Sequence, residues 1–180
     1  MIVLDKDISD LMNRTARIQH VAEGDGWCWF DSAGAQTGTS KRDVRQQMAN
    51  AMKTVVRLDD LVPWLGNYGA ACTSTPFKRE LRDRAARNET APFPCGPEHH
   101  GGQIESKALA LVTGYSVFVL TPGHPTGLKF SPKASAPRST SIYVASMGSR
   151  GRGDAKVDTK DIIFTYNGTD HYNALVALHG

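Results

Sequence analysis

What this chain has little of narrows its chemistry before any motif is read. It holds three cysteines in 180 residues, Cys28, Cys72 and Cys95. An odd, widely spaced set makes a poor disulfide framework, so reduced thiols are expected. No apolar run approaches the roughly 18 residues of a membrane-spanning helix. The first twenty residues, MIVLDKDISDLMNRTARIQH, mix charge with apolar positions and lack the uninterrupted apolar stretch of a secretory signal. The expectation is a cytoplasmic protein with no membrane partner. Net charge is only +3, and Arg150, Arg152, Lys156 and Lys160 form no dense basic stripe with interleaved aromatics. Nucleic acid is therefore not an expected partner.

What remains is the composition of a globular protein, 40% hydrophobic and 22% charged. One domain over 1–180 is expected, long enough to bury a core without disulfides or a structural metal. Residues 6–20 place Ile8, Leu11, Met12, Ala16 and Ile18 at helical spacing. CWFDSAGAQ reads as a helix opening near Cys28. The segment TSKRDVRQQMANAMKTVVRL reads as another, with Thr39 or Ser40 as cap and Val44, Met48, Met52, Val55 and Val56 as its apolar stripe. A shorter helix or turn is expected over 59–68, a charged surface helix over 76–87, and a Pro- and Gly-rich loop over 88–102. After a helix at QIESKALALVTG, residues 115–120, 141–145, 162–166 and 171–178 have the β-branched and aromatic character of strands. Residues 121–140 and 147–160 read as loops.

The informative stretch is Gly24-Asp25-Gly26-Trp27-Cys28-Trp29-Phe30. A glycine-flanked turn delivers a cysteine to a helix N-terminus, where the dipole and unpaired N–H groups favour a thiolate. The same N–H groups can face a developing oxyanion. A cysteine nucleophile needs a base, and His171 stands between two apolar segments in Asp170-His171-Tyr172-Asn173. If those segments pair as strands, Asn173 projects from the same face as His171 and can accept its Nδ1 hydrogen bond. Cys95, His99 and His100 match no strong zinc pattern, so neither a metal nor another cofactor is expected.

These landmarks resemble the ovarian-tumour (OTU) family of cysteine proteases. There a G-D-G-x-C-x-F motif opens the first core helix, and a histidine followed by an aromatic and an Asp or Asn closes the chain. A third landmark, His100-Gly101-Gly102-Gln103-Ile104-Glu105 followed by Ala108-Leu109-Ala110, is similar to the family's W-G-G-x-x-E-L-x-A-L segment, with His100 in place of the tryptophan. The resemblance implies an α+β, papain-like fold, a small mixed or antiparallel sheet sandwiched between helices. It implies Cys28 as nucleophile, His171 as base, Asn173 as its orienter, Asp25 shaping the oxyanion loop, and the N–H groups of Gly26 and Cys28 as oxyanion donors. Trp27, Trp29, Gly101, Gly102 and Tyr172 are then expected at the substrate channel. The implied partner is ubiquitin, ubiquitin chains or conjugates of a ubiquitin-like modifier, cut at the modifier's C-terminus. A pathogen protein acting in a host cytoplasm is compatible with the divergence between landmarks. The competing readings are a catalytically idle ubiquitin-binding domain of the same fold, and an RNA-binding module whose Cys and His are structural.

Overall fold

The computed structural model describes residues 6–54, 82–83, 85–89, 100–124, 127–132, 138–140 and 160–178. Four helices are numbered here: α1 (Lys6–Thr15), α2 (Cys28–Thr37), α3 (Lys41–Thr54) and α4 (Gln103–Thr113). The strands are β1 (Arg17–His20), β2 (Val117–Leu120), β3 (Gly127–Phe130), β4 (Arg138–Thr140), β5 (Ile162–Tyr166) and β6 (Tyr172–Ala177). They form one mixed sheet in the order β1-β6-β5-β2-β3-β4. β2 and β5 run parallel, and the other neighbours are antiparallel.

Strand alternation divides the core in two. Phe118, Leu120, Ile163 and Leu175 face Ile8 and Leu11 of α1. Val117, Val119, Phe130, Ile162 and Phe164 pack against α2, α3 and α4 through Trp29, Phe30, Val44, Met48 and Leu109. The sheet is thus sandwiched between helices, the α+β arrangement expected from sequence. Ser40 caps α3, its Oγ accepting the Asp43 N–H at 3.1 Å. At the start of α4 the Glu105 side chain reaches back to accept the Gly102 N–H at 2.8 Å, one half of a capping box. No helix among the described residues is long and apolar enough to cross a membrane.

Three expectations about elements need correction. The first helix stops at Thr15, five residues early, because Ala16 takes a left-handed φ of 51°. Residues 17–20 then form the edge strand β1, with Arg17 buried and Ile18 exposed. A burial pattern inverted with respect to hydrophobicity hides a strand from periodicity: Arg17 is inside because its guanidinium donates to the carbonyls of Leu175 and Asp161, each at 2.8 Å. The stretch 121–140 is not all loop, since β3 and β4 lie in it. Leu128 and Phe130 pack toward α4 while Lys129 extends over the Phe118 ring on the other side. Finally, the helix expected over 76–87 is helical at the described positions but continues through Glu89, and Ala85 and Asn88 are buried. The calls over 59–68 and 141–145 fall outside the described residues.

One close approach ties α4 to α2. Gly101 lies against Trp29, and a Cβ there would meet the indole at 2.8 Å. Trp29 cannot yield, being fully buried, stacked on Phe164 at 5.3 Å and hydrogen-bonded through Nε1 to Ser106 Oγ. Gly101→Ala is expected to destabilise the protein by about 1–3 kcal/mol, the usual range for overpacking. Thermal unfolding checks this, and an unchanged midpoint would mean that the segment before α4 shifts freely.

Candidate active site

The site is built where the N-terminus of α2 meets the start of β6. Cys28 is the first residue of α2, and the turn before it is held by its own side chains. Asp25 Oδ1 accepts the Trp27 N–H at 2.9 Å, and its other oxygen meets Lys41 Nζ at 2.6 Å. Lys41 also reaches Glu23 at 2.5 Å. Burial raises the Asp25 carboxyl, but Lys41 and the Trp27 N–H outweigh it and hold the group below its ordinary value. Gly26, at φ 85°, carries the left-handed turn that a side chain would strain.

His171 is delivered by the β5–β6 hairpin. Asn167 Oδ1 accepts the N–H groups of Thr169, Asp170 and His171, and Gly168 takes a φ of 86°. This turn places His171 at a sheet end. His171 Nε2 lies 2.9 Å from Asn173 Oδ1, and that oxygen also accepts the Ala22 N–H at 3.0 Å. Because the Ala22 contact requires an oxygen at this position, the carboxamide orientation is determined. Nε2 must then be the protonated nitrogen, and the lone pair lies on Nδ1. This corrects the expectation that Asn173 would hold Nδ1: the nitrogen left for proton transfer is Nδ1.

The Cys28 sulfur is 4% exposed as a residue and is engaged by main chain on β6. Sγ lies 3.7 Å from the Asp170 carbonyl, to which the thiol donates, and 3.4 Å from the Tyr172 N–H, which it accepts. Burial pushes the thiol pKa up, the negative charge of Asp25 adds to this, and the N–H groups of Tyr172, Trp29 and Cys28 oppose it without prevailing. Desolvation is thus the largest influence on this thiol, and the N–H groups at the helix start pull in the opposite direction, toward the thiolate.

Gly24, Asp25, Gly26, Cys28, His100, Asp170 and His171 line one cleft of about 330 Å³. His100 and Asp170 are not among the expected site residues; the sequence marks His100 as an irregular position in a landmark and as part of a weak metal pattern. The cation beneath the Asp25 turn, Lys41, is eighteen residues from Glu23 and was invisible to local reading. Trp27 and Trp29, expected at the channel, do not line the cleft. Both are buried, Trp27 beneath the Arg45 guanidinium at 3.5 Å and Trp29 in the core. Gly101 and Gly102 do not line the cleft either: Gly101 packs against Trp29 and Gly102 is the N-cap of α4. Tyr172 lies in a neighbouring hollow of about 250 Å³ with Gln103 and Tyr166, stacked on Tyr166 at 4.5 Å. A larger cavity of about 730 Å³ lies at the far end of α2, near Gly38 and Lys160, away from this chemistry. Cys72, Cys95 and His99 lie outside the described residues.

No family model matches the sequence, and no curated protein is similar to it in sequence. Solved structures are. The chain is similar to an OTU deubiquitinase from Wolbachia pipientis wMel, with 14% identity, a TM-score of 0.57, and coverage of 89% of this chain and 88% of that one. It is similar to the OTU domain of human OTUD1, at 12% identity, a TM-score of 0.51, and coverage of 94% and 92%. It is similar also to the Hazara virus OTU bound to ubiquitin, at 17% identity, a TM-score of 0.50, and coverage of 93% and 86%. The chain has the OTU fold.

Two outcomes follow from the electrostatics. Alkylation of Cys28 by iodoacetamide should accelerate with pH along a curve whose midpoint lies above that of an ordinary thiol; a midpoint below it would contradict the buried, neutral thiol. Asp25, with its lowered pKa, contributes stability above the unfolded carboxylate value that is lost as pH falls through the folded one. The difference in melting temperature between wild type and Asp25→Asn should therefore be largest near neutrality and shrink in strong acid. A difference independent of pH would remove the Lys41 pair as its cause.

Proposed function

We propose that this chain is an OTU-type cysteine protease that hydrolyses the isopeptide or peptide bond at the C-terminus of ubiquitin or a ubiquitin-like modifier. One observation carries the reading. Cys28 and His171 line the same cleft, and Asn173 holds His171 in the tautomer whose Nδ1 can take a proton. The fold shared with the Wolbachia OTU deubiquitinase, solved also with ubiquitin bound, and with the ubiquitin-bound Hazara virus OTU supports the choice of substrate. Fold alone is compatible with other activities, so the argument rests on the site.

In this mechanism the substrate carbonyl enters the cleft and His171 Nδ1 takes the Cys28 proton. The thiolate attacks, the S–C bond forms, and the carbonyl electron pair moves to oxygen. The resulting oxyanion is met by N–H groups at the start of α2, with Cys28 and Gly26 the assigned donors. The imidazolium, its Nε2–H held by Asn173, gives its proton to the departing lysine amine as the C–N bond breaks. Water, deprotonated by Nδ1, then attacks the thioester, and Cys28 leaves and recovers its proton. Asp25 acts on the shape of the turn and touches no reacting atom. The reaction calls on no metal or cofactor, and a reduced Cys28 suits a cytoplasmic setting.

A second reading, a domain that binds ubiquitin without cleaving it, draws on the engagement of Cys28 by the main chain of Asp170 and Tyr172. The two are separated by reaction with ubiquitin carrying a C-terminal electrophile. Wild type should form a covalent adduct, Cys28→Ala should form none, and His171→Ala should react at least 100-fold more slowly, on the scale of lost general-base catalysis, about 10²–10⁴-fold. Binding without an adduct would establish the second reading, and neither binding nor adduct would reject ubiquitin as the modifier.

A further inference from the structure

Behind the His171–Asn173 pair, on the sheet face turned toward α1, three buried polar atoms have no hydrogen-bond partner among the described residues: Asn173 Nδ2, Thr165 Oγ1 and Gln19 Nε2. They come from three adjacent strands, β6, β5 and β1, and register brings them together. Thr165 is directly opposite Asn173. Gln19 is opposite Leu175, which makes it the diagonal neighbour of Asn173 on the same face. Directly opposed Cβ atoms are about 5 Å apart and diagonal ones about 7–8 Å, within reach of a long side chain. Thr165 and Asn173 are fully buried, walled by Leu120, Ile163 and Leu175.

The orphans cannot be relieved by turning the carboxamide over. Asn173 Oδ1 is committed to the Ala22 and His171 donors, so Nδ2 must point elsewhere. Left dry, each orphan costs about 1–3 kcal/mol. Their chemistry is complementary to one small molecule. Two amide groups need an acceptor and a hydroxyl can accept, while water has two lone pairs and two protons. Buried waters characteristically make about three such bonds.

We propose that one ordered water is bound here as a structural ligand, accepting from Asn173 Nδ2 and Gln19 Nε2 and donating to Thr165 Oγ1, and that Thr165 is thereby a positioning residue for His171. By fixing the far end of the Asn173 carboxamide, the water keeps Oδ1 aimed at His171 Nε2. The imidazole then keeps its lone pair on Nδ1, facing proton transfer. This rests on the role proposed for His171, but its test does not need substrate.

Thr165→Val removes the hydroxyl at nearly constant shape, and Thr165→Ser retains it. A high-resolution crystal structure of wild type should show a water within hydrogen-bond distance of all three atoms. Nitrogen-15 spectra should show His171 protonated on Nε2 in wild type and in Thr165→Ser, and a tautomer mixture in Thr165→Val. The valine variant should melt lower than wild type and alkylate or form adduct about 10-fold more slowly, with serine restoring both. A valine variant that melts higher would mean a dry, relieved orphan and would overturn the water. An unchanged tautomer and rate would overturn the positioning role, whatever the melting temperature does. If wild type forms no ubiquitin adduct, the proposed substrate falls, while the melting and tautomer readouts still decide this inference.

Discussion

The oxygen of the Asn173 side chain joins two distant parts of the chain on which the geometry of the cleft depends. It accepts the Ala22 N–H from the segment that leaves β1 and the His171 Nε2–H from the start of β6. The first contact fastens the entry to the cysteine turn onto the last strand of the sheet. The second sets the protonation pattern of the imidazole. A carboxamide serves both because its oxygen has two lone pairs, and burial makes the arrangement hard to give up, since a buried donor without an acceptor is costly. From this point the geometry of the cleft follows: the β1–β6 pairing brings the turn at 23–27 to the end of the sheet where the β5–β6 hairpin presents His171.

Against that frame, Cys28 sits desolvated. Burial raises the Cys28 thiol, and the sulfur is satisfied by a carbonyl and an N–H of β6. Such a thiol is shielded from solvent, and His171 borders the same cleft. The turn that carries the cysteine is braced from below by Lys41, which pairs with both Asp25 and Glu23. The shape of the turn is thereby maintained by α3, a helix that contributes nothing else to the cleft lining. Arg45, one turn further along α3, covers Trp27 and extends the same support.

Much of this was legible in the residues themselves. Cys28 behind a glycine turn, a histidine with Asn two residues on, and the α4 segment with its Glu105 cap are local patterns with local physical reasons, and each forms where the spacing placed it. Misreadings came where burial ran against hydrophobicity. Arg17 inside and Ile18 outside disguised β1 as the end of a helix, and Pro- and Gly-rich surroundings disguised β3 and β4 as loop. The tryptophans beside Cys28 were assigned to a channel because bulk near a nucleophile suggests a wall. Their alternation around a helix start sends both into the core instead.

The chain alone determined which chemistry is available: one thiol at a helix start, one imidazole with a carboxamide partner two residues away, and helix and strand segments in the order that an OTU fold requires. These are properties of neighbouring residues, governed by periods of 3.6 and 2 and by the angles that glycine permits. Only the tertiary structure decided which histidine nitrogen Asn173 engages, that burial pushes the Cys28 thiol pKa up, that Lys41 braces the turn, and that His100 and Asp170 border the cleft. Each depends on contacts between residues that pairing and packing bring together. Ala22 and Asn173 are 151 positions apart, and so is the decision their contact makes from anything a local pattern can carry.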